Sequence, residues 1–179
     1  MPSGGPAATF CWSGLRTAPV GSRVSPYRPM KIISGGQTGV DRAALDVALE
    51  LGLACGGYCP KGRWAEDGPI PDKYPLQETP SADHTQRTEW NVRDSDGSLI
   101  LTLGKPAGGT ASTLEHAREL GRPCLVVDLS LPVGTDAINE WLAANQIRTL
   151  NIAGPRASES PRVYALAVAM LKNLLCRMG

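Results

Sequence analysis

Three short runs of small residues carry the clearest chemistry in this chain. Gly35-Gly36-Gln37-Thr38-Gly39, Gly108-Gly109-Thr110 with Thr113 one turn later, and Gly154-Pro155-Arg156-Ala157-Ser158 each lie between an apolar run and an amphipathic one. Glycines in that position leave backbone N–H groups uncovered at a helix start, where the helix dipole adds partial positive charge, and both features favour an anion such as phosphate. One glycine pair alone is more often a tight strand-to-helix turn. Three in equivalent places point to one shared site. The first run departs from G-x-G-x-x-G spacing, so a nicotinamide cofactor is not indicated, and no Gly-Lys-Ser/Thr follows it, so it is not a P-loop.

Charged and polar partners for such an anion lie nearby in sequence. Lys61 and Arg63 sit in a proline-rich stretch and could pair with Glu66 and Asp67 on the surface or close over a phosphate. Arg63 suits bidentate contact better, because a guanidinium presents a planar fork of donors. Arg87, Asn91, Asp94 and Ser95 follow one another at spacings that put them on one helical face, around Trp90. Arg156 directly follows a buried run. Asp41, at a helix start, serves either as a cap and dipole partner or as a ligand contact. His84 and His116 read as ordinary polar positions without a serine or cysteine partner. Cys55 and Cys59 read as buried or loop thiols, since no second pair or neighbouring histidine completes a metal site.

Composition bounds what these residues can belong to. At 179 residues, 42% hydrophobic and 20% charged, the chain has enough material for one globular core and too little for two comfortable domains. A net charge of +1 with interspersed signs gives no electrostatic footprint for nucleic acid or an anionic membrane. No apolar run approaches the roughly 20 residues of a membrane-spanning helix. Five cysteines, an odd number without a secretory signal, point to a reducing, cytoplasmic setting. Residues 1–29 are rich in Pro, Gly, Ser and Ala, contain three arginines and no acid, and are expected to be a disordered extension. Met30 reads as the natural start, with a transit peptide as the alternative. Without those arginines the remaining 15 basic and 17 acidic residues leave a net of −2.

From residue 30 onward, short apolar runs alternate with longer amphipathic ones, the pattern of βαβ units and a mostly parallel sheet. Strands are expected over 31–34, 54–58, 98–103, 124–129 and 148–152. Helices are expected over 41–51, 83–93, 136–144 and 161–176, the last opened by Pro161, and another after the run 104–110, ending at Leu120. On the first helix Arg42, Asp46 and Glu50 form one polar stripe, and the other faces are apolar enough to be buried. The stretch 60–82 has five prolines and no regular period. Its charged and aromatic residues predict an ordered functional flap. The stripe of Val163, Leu166, Ala167, Met170, Leu171, Leu174 and Leu175 predicts core or an oligomer contact. The whole reads as a Rossmann-like three-layer α/β/α sandwich of about five strands, with its site outside the strands' carboxyl ends.

At this point the residues carry a resemblance. Ser34-Gly35-Gly36-Gln37-Thr38-Gly39-Val40-Asp41-Arg42-Ala43-Ala44-Leu45-Asp46 resembles the signature of the molybdenum-carrier family, the circularly permuted YpsA-like proteins of the SLOG superfamily. Gly57-Tyr58-Cys59-Pro60-Lys61-Gly62-Arg63, Ala65-Glu66-Asp67-Gly68-Pro69-Ile70-Pro71 and Arg87-Thr88-Glu89-Trp90-Asn91-Val92-Arg93-Asp94-Ser95-Asp96 extend it. Gly108-Gly109-Thr110 and Ala153-Gly154-Pro155-Arg156 complete it, over essentially 30–179. The resemblance implies a Rossmann-like fold, a nucleotide-related site, homo-oligomerisation and, by the family's name, carriage of molybdenum cofactor (molybdopterin), whose phosphate would suit the glycine loops.

Three functions follow as expectations: carriage of a phosphate-bearing small molecule first, N-glycosidic hydrolysis of nucleotides second, and nucleotide sensing third. Related phosphoribohydrolases of the superfamily resemble P-G-G-x-G-T-x-x-E and use its glutamate on the ribose. Aligning Gly109-Thr110 puts Thr113 at that position. Glu115 is displaced by about 200° around a helix of 3.6 residues per turn. It should face away.

Overall fold

The computed structural model describes residues 8–11, 31–132 and 134–176. In chain order the strands are β1 Ala8–Cys11, β2 Lys31–Ile33, β3 Ala54–Gly56, β4 Tyr58–Cys59, β5 Trp64–Ala65, β6 Gly68–Pro69, β7 Gln77–Glu78, β8 Gly97–Thr102, β9 Cys124–Asp128 and β10 Thr149–Ala153. The helices are α1 Val40–Glu50, α2 His84–Arg93, α3 Gly108–Glu119, α4 Asp136–Ala144 and α5 Val163–Cys176. The expected order of strands and helices is thus present, with boundaries moved by a residue or two, as frayed ends allow.

Five parallel strands form the sheet in the order β9-β8-β10-β2-β3. That order explains the permutation. If β10 and α5 are counted before β2, the sheet reads 5-4-1-2-3, which from the other side is the 3-2-1-4-5 core of the doubly wound dinucleotide-binding fold. The strand that comes last in this chain therefore occupies the sheet's centre, between the first and the third. It is buried on both faces, and Leu150 and Ile152 are fully enclosed.

The helices complete a three-layer α/β/α sandwich. On one face α1, α4 and α5 pack through Val40, Ala44, Val47, Leu142, Ala167 and Leu171 onto Ile32, Leu99, Leu125 and Leu150. On the other, Val92 of α2 and Ala117 of α3 meet Ile100 and Val126. The alternation of Leu99, Ile100 and Leu101 between faces is the strand's period of two, and a continuous apolar run is what a strand buried on both sides requires. The stripe on α5 lies in the core, apart from half-buried Leu166.

The expectation of a disordered 1–29 falls mostly outside the described residues. The part described, β1, is instead a strand, paired antiparallel with β9 from Ala8 against Val127 to Cys11 against Cys124. It covers backbone donors and acceptors that β9 would otherwise present as an open edge. The flap is ordered as expected. β4 and β7 pair in parallel, β5 and β6 form a hairpin, and Ile70, Tyr74 and Leu76 pack with Leu45 and Cys59 in a core of their own. No helix among the described residues is long and apolar enough to cross a membrane.

Candidate functional site

The connection leaving β8 leads to α3 on one face, and the connection leaving its neighbour β10 leads to α5 on the other. Divergence of neighbouring connections opens a crevice at the carboxyl ends of the strands, the place where such sheets bind ligands. The three glycine loops meet there. Val40 N donates to Pro155 O at 3.2 Å, and Ala157 N donates to Thr38 Oγ1 at 3.0 Å, which joins the loop after β2 to the loop after β10. A Cβ added at Gly39 would lie 2.3 Å from Pro155 O, and one at Gly154 would lie 2.2 Å from Leu101 O. Glycine is required at both because backbone passes over them. From the third loop, a Cβ at Gly108 would lie 3.4 Å from Glu159 Oε1.

The two helix starts at this rim differ. Neither start has a side-chain cap; at α1 Asp41 turns its buried carboxylate back to accept from Gln37 N at 3.3 Å, Thr38 N donates to Gln37 Oε1 at 3.1 Å, and Val40 N is taken by Pro155 O. At α3 no side chain caps Ala107, and Thr110 N and Ala111 N bond to Ala107 O. The amides of Gly108 and Gly109, which an α-helix leaves unpaired, have no acceptor among the described residues. A Cβ at Gly109 would meet nothing within 4 Å. Open space at this rim therefore lies beside Gly109.

Around it lie charges that only the folded chain assembles. Glu66, on the turn of the β5–β6 hairpin, accepts hydrogen bonds from the Thr38 hydroxyl, from Ser158 N at 3.1 Å and from the Ser158 hydroxyl. Arg156 Nε lies 3.8 Å from Glu66 Oε2 and 3.0 Å from Glu159 Oε1. Burial alone would raise the Glu66 carboxyl, but those hydrogen bonds and the Arg156 charge outweigh it and hold the carboxyl below the usual carboxylate range. Arg87 pairs with Asp41 at 3.0 Å, with both side chains largely enclosed. Burial pushes the Asp41 carboxyl up, against the opposing charge of Arg87. Burial and the charges of Arg87 and Arg156 hold the His84 imidazole below its ordinary value and favour its neutral form.

Of the residues singled out from sequence, Gly35 to Gly39, Asp41, Arg87, Gly108, Gly109, Gly154 and Arg156 come together at this rim. Thr110 and Thr113 are buried beneath it, and the Thr113 hydroxyl donates to Gly109 O at 3.0 Å. Others serve the scaffold. The Arg63 guanidinium donates to Leu76 O, Pro71 O and Tyr74 O at 2.9–3.2 Å, and its Nε lies 3.8 Å from Asp72 Oδ1, so it ties the flap together. Lys61 is exposed, and its amide bonds to Ser81 O. Asn91 brackets the backbone of Tyr58, accepting from its N at 2.8 Å and donating to its O at 3.0 Å.

Asp94 and Ser95 lie at the far end of α2, about 10 Å along the axis from Arg87 at 1.5 Å per residue. Asp94 binds Tyr58 Oη and Arg93, and the Ser95 hydroxyl donates to Val92 O. Shared helical face does not mean shared depth. Glu66, Ser158 and Glu159 were not among the expected ligand residues. The sequence offers Glu66 only as a surface partner for Lys61 or Arg63 and as part of a motif of the resemblance, and Ser158 closes the third glycine run.

Fold and rim together define a doubly wound sheet with a crevice at its switch point. The chain belongs to the circularly permuted YpsA family of SLOG proteins, whose model matches residues 32–175. Among solved structures it is similar to the protein named "Putative molybdenum carrier protein" from Syntrophus aciditrophicus SB, at 46% identity and a TM-score of 0.81, over 84% of this chain and 96% of that one. No curated protein matches the chain.

Proposed function

We propose that the protein binds a phosphate-bearing small molecule, a nucleotide derivative or the phosphate-tailed pterin of molybdenum cofactor, at the crevice between β8 and β10, and carries it unchanged. The observation that carries this reading is the uncapped start of α3. There, the space around Gly109 is open, and Glu159, which pairs with Arg156, lies beside Gly108. Amides and dipole at a helix start hold a phosphate without a dedicated lysine. The name of the Syntrophus protein supports molybdenum-related cargo.

Carriage is preferred to hydrolysis because the inward position on α3 is held by Thr113, whereas Glu115 is exposed. Glu66, the carboxylate that is at the rim, is held ionised by its donors and has no proton to give a leaving base. The test is titration with nucleoside monophosphates, followed for free base, beside metal analysis of protein isolated from molybdate-fed cells. Saturable binding without base release is expected, with molybdenum in the isolated protein. Base released at enzymatic rates overturns carriage. Binding without molybdenum favours a sensing role.

A further inference from the structure

The donors around Glu66 are those a phosphate oxygen would use. Thr38 Oγ1, Ser158 N and Ser158 Oγ all turn toward one carboxylate, and Arg156 Nε stands 3.8 Å behind it. These groups come from two loops, after β2 and after β10. The latter holds the place of the phosphate-binding turn once the permutation is undone. Ala157 N donates to Thr38 Oγ1, which leaves that hydroxyl's own proton to point at the carboxylate. The Glu66 side chain is 20% exposed although its backbone lies at the surface, so its head is turned inward onto the donors. Its hairpin is fixed independently of that head: Glu66 N donates to Gln37 Oε1 at 2.9 Å, and Asp67 takes both terminal nitrogens of Arg42 at 3.0 and 3.1 Å.

We infer that Thr38, Ser158 and Arg156 form an oxyanion subsite which the chain's own Glu66 carboxylate occupies until a ligand phosphate displaces it. The inference rests on the proposed phosphate-binding function and adds the donor set and a built-in competitor. Carboxylate and phosphate cannot share the donors, because two anions within about 4 Å repel strongly in a partly buried place. Since the hairpin is anchored elsewhere, rotation of one side chain into solvent suffices to clear the subsite. Arg156 then exchanges Glu66 for phosphate while keeping Glu159. The competitor lowers affinity for weak or abundant anions and leaves the site to a ligand with additional contacts at α3.

The test is calorimetric titration of inorganic pyrophosphate into the full chain and its variants, each checked by circular dichroism. Glu66→Ala should bind at least tenfold tighter than the natural protein, with Glu66→Gln between them. Glu140→Ala, an exposed site on α4 with the same change in net charge, should not tighten binding. Adding Thr38→Val to Glu66→Ala should forfeit most of the gain. Equal or weaker binding by Glu66→Ala, an equal gain in Glu140→Ala, a gain that survives Thr38→Val, or no pyrophosphate binding by any variant overturns the inference. None of these bears on the nucleoside monophosphate titration, which tests the function separately.

Discussion

Arg87 reaches Asp41 by passing directly over Gly35: its Nη1 lies 3.0 Å from Asp41 Oδ2 and occupies the space a Cβ on Gly35 would need, 1.6 Å away. The first glycine of the signature is thus read by the protein itself. It admits an enclosed ion pair that joins α2 to the start of α1. Gly35→Ala should push the guanidinium off and strand the Asp41 carboxylate in a buried position. The expected loss is about 3 kcal/mol of unfolding free energy, in line with breaking other buried pairs. Urea denaturation measures it, and an unchanged midpoint would show that Arg87 has another route to Asp41.

Gly36 and Gly109 look equivalent in sequence and are not equivalent in space. At Gly36, where φ is +76°, a Cβ would lie 2.4 Å from Leu76 Cδ1, so Gly36→Val should unseat the flap and cost stability. At Gly109 the space is open and φ is ordinary. Gly109→Ala should therefore raise stability by about 0.5–1 kcal/mol, the usual gain of alanine over glycine in a helix. Gly109→Val should weaken nucleoside monophosphate binding at least tenfold with the fold retained. Thermal melts beside titrations separate the two effects, and undiminished affinity in Gly109→Val removes the α3 start from the site.

How much of this could be read from the chain alone follows from which interactions are local. The strand at 97–102 and helix α1 declare themselves because each is an apolar pattern within a dozen residues. Lateral order in the sheet does not. That β10 lies between β2 and β8 depends on pairings across 50 to more than 100 residues, and no local pattern encodes them. Glu66 and Ser158, 92 residues apart, meet for the same reason. Arg63 looked like a ligand cation because residue type does not reveal where a guanidinium points. Its positive φ of 51° and three carbonyl partners are properties of the folded flap.

Asp46 gathers Lys73 Nζ, Tyr74 Oη and Tyr164 Oη at 2.9, 2.9 and 3.0 Å, joining the flap and α5 to α1. Burial alone would raise its carboxyl, and the hydrogen bonds from Lys73, Tyr74 and Tyr164 outweigh it, leaving the pKa below the ordinary aspartate value. A carboxyl lowered by folding contributes stability that is present above its unfolded pKa and lost as pH falls through the folded one. Stability should therefore decline below about pH 4, the ordinary aspartate region. Asp46→Ala should flatten that decline and cost about 1–3 kcal/mol at neutral pH, because the buried Tyr74 hydroxyl loses its acceptor. Asp41 has the opposite sign. Its raised pKa contributes stability that is present at acid pH and lost as pH rises, so Asp41→Asn should steepen the acid decline. Urea midpoints of the three proteins from pH 3 to 7 check both directions.

Arg63→Lys separates a scaffold cation from a ligand cation. If Arg63 acted on phosphate by charge, lysine would preserve part of the binding and all of the stability. The structure instead gives it three carbonyl oxygens, from Pro71, Tyr74 and Leu76, which a planar fork can reach at once and an ammonium on a flexible stem cannot. The expected result is a loss of about 2 kcal/mol in stability, the scale of hydrogen bonds to a charged group. Faster limited proteolysis within 60–82 should accompany it. Nucleoside monophosphate affinity at low temperature, where the flap stays folded, should change less than threefold, and its dependence on salt should not change at all. A fall in affinity with an altered salt dependence and no loss of stability would place Arg63 on the ligand after all.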